Sequence, residues 1–79
     1  MIVKIFTFKN GMEEIEEVTA IRIKSKDYNL LILKDYLSIV GEIEGFFEIE
    51  TKEDKFTYND VKAYYLFNNN NFDILIEGV

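Results

Sequence analysis

The sequence predicts an all-β fold, a small antiparallel β-sandwich of about seven to nine short strands. Apolar and polar residues alternate with period two through several segments, which gives a strand one buried and one exposed face. Turn-forming residues separate these segments at close intervals, and β-branched and aromatic residues are frequent within them. A chain of 79 residues has room for one modest core, so we expect a single domain over 1–79.

The first third of the chain predicts three strands. Residues 2–8 are β-branched and aromatic, and Asn10-Gly11 supplies the turn signal that ends this strand. The segment 12–25 is ambiguous, because its first apolar residues have helical spacing while its second half is rich in β-branched side chains. The β-branched half favours a strand. The predicted elements after the first strand are strands at 17–24 and 30–33, joined by a polar turn at 25–29.

The segment "LLILKDYLSIVGEIEGFFEIE", residues 30–50, starts as an apolar run and ends as an acidic ribbon. It carries too many charges for a membrane-spanning helix, so we interpret it as two or three short strands. Its glycines predict a bend or bulge between sheets. Phe46 interrupts the polar phase. The two phases of the alternation are Ile43, Gly45, Phe47 and Ile49 against Glu42, Glu44, Glu48 and Glu50.

The last third predicts a terminal hairpin. The alternation runs through 61–67 and again through 72–77, with a break expected at Asn59-Asp60. The asparagine run at 68–71 supplies the turn, because asparagine tolerates a left-handed backbone at low cost. The predicted inner phase consists of Val61, Ala63, Tyr65, Phe67, Phe72, Ile74 and Ile76.

The composition excludes several classes of function. The chain has no histidine and no cysteine, which removes imidazole catalysis, thiolate or histidine metal sites and disulfides. With one arginine and a net charge of −6, it should repel nucleic acids and anionic lipids and attract basic proteins. The N-terminal segment lacks a signal-peptide pattern. We expect a cytoplasmic protein that reaches a membrane only through a partner and does not insert into it.

Carboxylates and tyrosines are the candidates for chemistry. The densest group is the row Glu42, Glu44, Glu48 and Glu50, which could in principle bind a cation or act in hydrolysis. Neighbouring residues on the same face of one strand are about 7 Å apart. Runs of like charge usually form a solvated face. We therefore predict no catalytic residue, no metal site, no cofactor and no enzyme activity. Phe46 lies among the glutamates and is either covered by another element or part of a contact patch.

Over its whole length the sequence resembles the N-terminal β-sandwich domain of the epsilon subunit of F-type ATP synthases. "MIVKIFTFKNGMEEIEEVTAIRIKS" has the shape of that family's first strand, turn and "geV..v.v" strand, and 29–78 follows the order of its later strands. The sequence departs from the family at Lys34 to Tyr36, which replace a proline-glycine-histidine turn. It departs again near Ala63-Tyr64, where the family has paired glycines.

The resemblance implies a non-catalytic coupling piece of a rotor stalk. In that family the sandwich docks on the gamma subunit and touches the polar loops of the membrane ring, while a pair of helices without a counterpart in 1–79 carries other roles. The residues whose position corresponds to the ring-facing end are Asp27, Tyr28, Asn29 and Tyr36. The same residues could equally be ordinary turn residues.

A second hypothesis belongs to another class. A small acidic protein of a phage or mobile element could bind a basic protein surface through its glutamate row, with Glu44, Phe46 and Glu48 at the contact. In either case the sandwich has strand edges that no proline protects. We therefore expect a partner protein or a second copy of the chain to cover one of the edges.

Overall fold

The computed structural model describes residues 1–77, and all their regular structure is β. Seven strands are present, so the all-β prediction is confirmed. No helix in this part of the chain is long and apolar enough to cross a membrane. The strands are β1 (Ile2–Thr7), β2 (Gly11–Ile15), β3 (Val18–Ser25), β4 (Asn29–Ile32), β5 (Ile39–Thr51), β6 (Lys55–Asn68) and β7 (Asn71–Glu77).

The strands form one continuous sheet in the order β2-β1-β7-β6-β5-β3-β4. Every neighbouring pair is antiparallel except β1 and β7, which are parallel. The sheet is therefore mixed, whereas the sequence predicted a purely antiparallel one. Period-two alternation places residues on faces but carries no information about strand direction, which explains the difference.

A bulge divides the two longest strands, β5 and β6. The pairing shifts between Gly45 and Phe47, so that Asn59 and Asp60 of β6 lie where β5 has the single residue Phe46. Asp60 has a φ of 53°, and Gly45 has a φ of 150°. A bulge of this kind bends the strand and strengthens the local twist. Both the bend expected at a glycine and the break expected at Asn59-Asp60 are present.

The bend produces two sheet halves that share β5 and β6. The five-stranded half contains β2, β1, β7, residues 61–68 of β6 and residues 39–45 of β5. The four-stranded half contains residues 55–58 of β6, residues 47–51 of β5, β3 and β4. This is how a single sheet makes the sandwich that the sequence predicts, with long bent strands in place of short separate ones.

The inner faces of both halves join in one hydrophobic core. Phe47 and Phe67 are completely buried, and Phe47 stacks on Tyr58 with ring centroids 4.6 Å apart. The side chains of Tyr65 and Phe72 stack in the same way at 5.2 Å. The core residues are Val3, Ile5, Val18, Ile21, Ile23, Ile32, Ile43, Phe47, Ile49, Ala63, Tyr65, Phe67, Phe72, Ile74 and Ile76.

The turns follow the predicted chemistry. Asn69 and Asn70, with φ of 48° and 61°, form the two-residue turn between β6 and β7. Left-handed φ angles at both central residues define a type I′ turn, whose twist matches that of the flanking strands. The apolar residues of 12–18 have helical spacing, but the segment forms no helix. It contains β2 and the start of β3. Pairing with β1 determines the conformation of β2.

Candidate interaction surface

A row of exposed apolar side chains crosses the outer face of the five-stranded half. The strand register places Met12 beside Phe6, Phe6 beside Leu75 and Leu75 beside Tyr64. Their exposed fractions are 51%, 37%, 53% and 45% in the same order. Because neighbouring strands are about 4.8 Å apart, the row spans about 14 Å.

Two further side chains widen this row into a patch. Leu66 lies two residues along β6 from Tyr64, and Val40 pairs with it from β5. They are 45% and 76% exposed. The six residues Met12, Phe6, Leu75, Tyr64, Leu66 and Val40 are hereafter the apolar patch. Single exposed apolar residues are normal on a soluble domain, but a contiguous set on one face marks an interaction site.

Charged side chains border the apolar patch in two further rows of the same face. One row places Lys4 between Glu14 and Asp73. The other places Lys62 between Glu44 and Glu77. Glu42 ends the apolar row beside Tyr64, so five carboxylates and two lysines border the patch.

The carboxylate of Glu77, and then that of Glu42, raises the pKa of the Tyr64 phenol. The border is acidic, and it favours a partner with basic residues around an apolar strip.

The sequence carries a signal for the apolar patch in the outward phase of its strands. Tyr64, Leu66 and Leu75 all lie in the phase of the alternation that should be polar. Phe6 likewise lies outside the buried phase formed by Val3 and Ile5. Apolar residues in the outward phase of neighbouring strands predict an apolar outer face. Combining them, however, requires the strand order, which the alternation does not provide.

Tyr28 of the predicted ring-facing group covers a strand edge. Its hydroxyl donates to the Glu42 carbonyl at 2.6 Å and shares a hydrogen bond of 3.0 Å with the Tyr65 hydroxyl. The Lys26 N–H donates to the Glu44 carbonyl at 2.9 Å. The β3–β4 turn thus satisfies backbone groups of β5 that no strand pairs. Burial, and then the hydrogen bond with Tyr28, raises the pKa of Tyr65.

We expect Tyr28→Phe to lower the free energy of unfolding by about 1 kcal/mol, because the Tyr65 hydroxyl and the Glu42 carbonyl lose a partner. Urea unfolding followed by circular dichroism measures this difference. The matched control is Tyr36→Phe. Tyr36 is more exposed than Tyr28, so the loss of its hydroxyl should cost less than about 0.5 kcal/mol. Equal losses in the two variants would contradict a bridging role for Tyr28.

The other residues of that group lie in two separate parts of the chain, on either side of β4 and at its first residue. Asp27 is in the β3–β4 turn, and Asn29 begins β4. Tyr36 lies in the β4–β5 connection, where its ring packs edge-on against Phe67 with centroids 6.5 Å apart. These positions neither exclude nor support a contact with a membrane ring, so the ring-facing role of the four residues stays a prediction.

The predicted glutamate row is divided by the bend in β5. Glu44 belongs to the five-stranded half, whereas Glu48 and Glu50 belong to the four-stranded half. Arg22 of β3 lies 3.5 Å from Glu48 and forms a second ion pair with Glu50. The hydrogen bond from Arg22 lowers the pKa of the Glu50 carboxyl. Phe46 is half-buried at the bulge. The row is thus partly neutralised, and its role in binding stays a prediction.

The carboxylates do not converge on a cation site. Within residues 1–77, no group of three or more histidine, cysteine, aspartate or glutamate residues is arranged to hold a metal ion. An acidic groove lies between β2 and the β5–β6 turn, and it is open to solvent. Its carboxylates are those of Glu13, Glu14, Glu16, Glu17, Glu53 and Asp54.

Comparison with known proteins identifies the fold. No protein-family model matches the chain, and no curated protein matches it. A solved structure does: a chain in the cryo-EM structure of the central stalk and c-ring of the Tetrahymena thermophila mitochondrial ATP synthase aligns with a TM-score of 0.72 at 16% identity. The alignment covers 99% of this chain and 63% of that one. The chain therefore has the fold of a domain found in an ATP synthase stalk assembly.

Proposed function

We propose that this chain is a non-catalytic protein-binding domain of a rotary ATP synthase stalk, related to the N-terminal sandwich of the epsilon subunit. Two observations support the proposal. The sequence pattern resembles that sandwich over 1–79, and the fold aligns over 99% of the chain with a chain of a central stalk and c-ring assembly. The partner is then another protein of the stalk, and the domain meets the membrane surface only through it.

The apolar patch is the observation that carries the binding function. Two aromatic side chains, Phe6 and Tyr64, lie within the patch, and aromatic anchors contribute most of the binding energy in protein interfaces. They lie on strands that both pair with β7 on either side, so little backbone freedom is lost when a partner covers them. The acidic border selects a partner surface with lysine or arginine around an apolar strip.

The acidic-antagonist hypothesis has weaker support. It requires Glu44, Phe46 and Glu48 to act as one contact face, but the bend in β5 separates Glu44 from Glu48. Arg22 also neutralises part of the row. Charge mimicry works best with unpaired carboxylates on a continuous face. The outer face of the five-stranded half is both more apolar and more continuous.

We expect Leu75→Lys to weaken partner binding at least about tenfold, since it places a desolvated charge in the centre of the apolar patch. The test is a pull-down with tagged protein from the native lysate at low and high salt, with bound proteins identified by mass spectrometry. The wild-type chain should recover central-stalk subunits of the ATP synthase at both salt concentrations.

Thr57→Lys is the matched control, because it adds the same charge to an exposed position on the outer face of the other half. It should bind like the wild type. Recovery of a basic protein outside the ATP synthase, lost at high salt and unaffected by Leu75→Lys, would instead support the acidic antagonist and refute the stalk proposal.

A further inference from the structure

Besides the start of β3, where Val18 bonds to Met1, four stretches of strand have one side without a neighbouring strand. The ends of the strand order are β2 and β4. In addition, β3 pairs only with the second part of β5, and β7 pairs only with the second part of β6. Residues 39–44 of β5 and 55–60 of β6 therefore also have a side without a neighbouring strand. Unpaired edges attract other strands unless something blocks them.

Three of these four edges carry a blocking feature. Glu13 and Glu14 place two charges within the five residues of β2. The β3–β4 turn covers residues 39–44 through the hydrogen bonds of Lys26 and Tyr28. The edge of β6 contains the bulge, with Asp60 in a left-handed conformation that interrupts a regular ladder. Charges, covering loops and bulges are the devices by which natural proteins protect edges.

The edge of β4 has none of these features. Its sequence is Asn-Leu-Leu-Ile, and the next residue is Leu33. None of its residues is charged, and the residues with positive φ all lie elsewhere in the described chain. Leu31 and Leu33 are 45% and 49% exposed beside this edge. An uncharged, apolar edge without a covering loop or a bulge is the kind that pairs with another strand.

The hydrogen-bond pattern shows which backbone groups of β4 are available. The Ser25 N–H donates to the Tyr28 carbonyl at 2.8 Å, so this pair closes the β3–β4 turn. Hydrogen-bonded and non-hydrogen-bonded pairs alternate along an antiparallel ladder. Leu30 therefore bonds to β3, whereas Asn29 and Leu31 direct their N–H and carbonyl groups away from it.

We propose that β4 pairs antiparallel with β4 of a second copy of this chain, about a two-fold axis at Leu31. In this register the two Leu31 residues exchange both backbone hydrogen bonds, and each Leu33 N–H donates to the Asn29 carbonyl of the other copy. Leu30 faces Ile32 of the other copy, so inward residues meet inward residues and both cores continue across the axis. Leu31 faces its own counterpart on the outer face, where its exposed apolar surface is covered.

Charge favours a second copy at this edge and opposes it at β2. At each end of the paired segment, Lys26-Asp27 of one copy meets Lys34-Asp35 of the other. Each junction therefore contains equal numbers of positive and negative charges. The same pairing at β2 would bring Glu13 and Glu14 of both copies together. In a chain with a net charge of −6, a balanced edge is where self-association meets least repulsion.

Sedimentation over a concentration range of about 5–300 µM tests this proposal. We expect a monomer–dimer equilibrium with a Kd on the order of 10 µM, because a paired segment this short buries a small interface. Leu31→Lys should give a monomer throughout this range, since two like charges would face each other at the axis. Leu31→Glu should do the same for the same reason.

An equimolar mixture of the Leu31→Lys and Leu31→Glu variants should recover the dimer, because the introduced lysine then faces the introduced glutamate. This recovery excludes misfolding as the reason for the two monomers. Leu75→Lys should dimerise like the wild type, so this proposal and the stalk function can fail separately. A wild-type chain that is monomeric at about 300 µM would overturn the proposal. The edge of β4 would then be available only for a strand of another protein. Dimers in both single variants would overturn it equally.

Discussion

Replacing Gly45 with alanine should lower the free energy of unfolding by about 3 kcal/mol or more. Gly45 has a φ of 150°, a conformation that residues with a side chain rarely adopt. An added Cβ would also lie 2.5 Å from the Lys24 carbonyl oxygen and 3.5 Å from the Ser25 Cα. Both atoms belong to the backbone of β3, a central strand, which cannot move away without disturbing its pairing on either side.

The same position is where the sheet divides into its two halves, so strain at Gly45 acts on the whole sandwich. A chain of this length has a total stability of only about 4–12 kcal/mol. The loss should appear as a much lower midpoint in urea unfolding. Gly11→Ala is the matched control, because Gly11 also has a positive φ, 69°, but nothing lies within 4 Å of the added Cβ. It should cost only about 1 kcal/mol. Similar losses in the two variants would show that the contact with β3 does not determine the effect.

Phe47→Ala should be nearly as damaging, with an expected loss of about 3–5 kcal/mol. The Phe47 side chain is completely buried and stacks on Tyr58. It follows Phe46, the β5 residue opposite the bulge in β6, and its neighbours in the register are Ile23 of β3 and Tyr58 of β6. Removing the ring leaves a cavity that these paired strands cannot close by moving together.

Phe46→Ala provides the comparison within the same strand. The residue is half-buried and faces the opposite side of the sheet, so its truncation should cost about 1 kcal/mol. Differential scanning calorimetry measures the two melting temperatures. In a domain of this size, each kcal/mol lost lowers the melting temperature by about 4–8 °C. Phe46→Ala should therefore melt near the wild-type temperature, and Phe47→Ala about 10 °C or more below it. A milder effect for Phe47→Ala than for Phe46→Ala would reverse the inner and outer faces assigned to β5.

Much of the fold followed from residue patterns. The outer and inner phases of β5 and β6 could be predicted because each strand buries one face, as Ile43, Phe47 and Ile49 do. The left-handed turn at Asn69 and Asn70 followed from the tolerance of asparagine for that conformation. The parallel pairing of β1 with β7 could not be predicted, since it joins residues about seventy positions apart and leaves no local trace.

The interaction surface was less predictable for a physical reason. Tyr64 and Leu75 pair within the terminal hairpin, but Phe6 is far from both in the sequence and becomes their neighbour only through the strand order. In contrast, Glu44, Phe46 and Glu48 are close in the sequence and looked like one site, but Glu44 and Glu48 belong to different halves of the sheet. Residue types along one strand predict its faces. A surface built from several strands depends on long-range pairing, which one sequence does not encode in any short pattern.

We propose above that a stalk protein binds the outer face of the five-stranded half. Photo-crosslinking in the native lysate tests it most directly, with a photoreactive side chain in place of Leu75 in one variant and of Thr57 in another. We predict that the variant altered at Leu75 crosslinks to a central-stalk subunit of the ATP synthase and that the variant altered at Thr57 does not. Crosslinks to that subunit from Thr57 alone, or to no stalk protein from either position, would contradict the account.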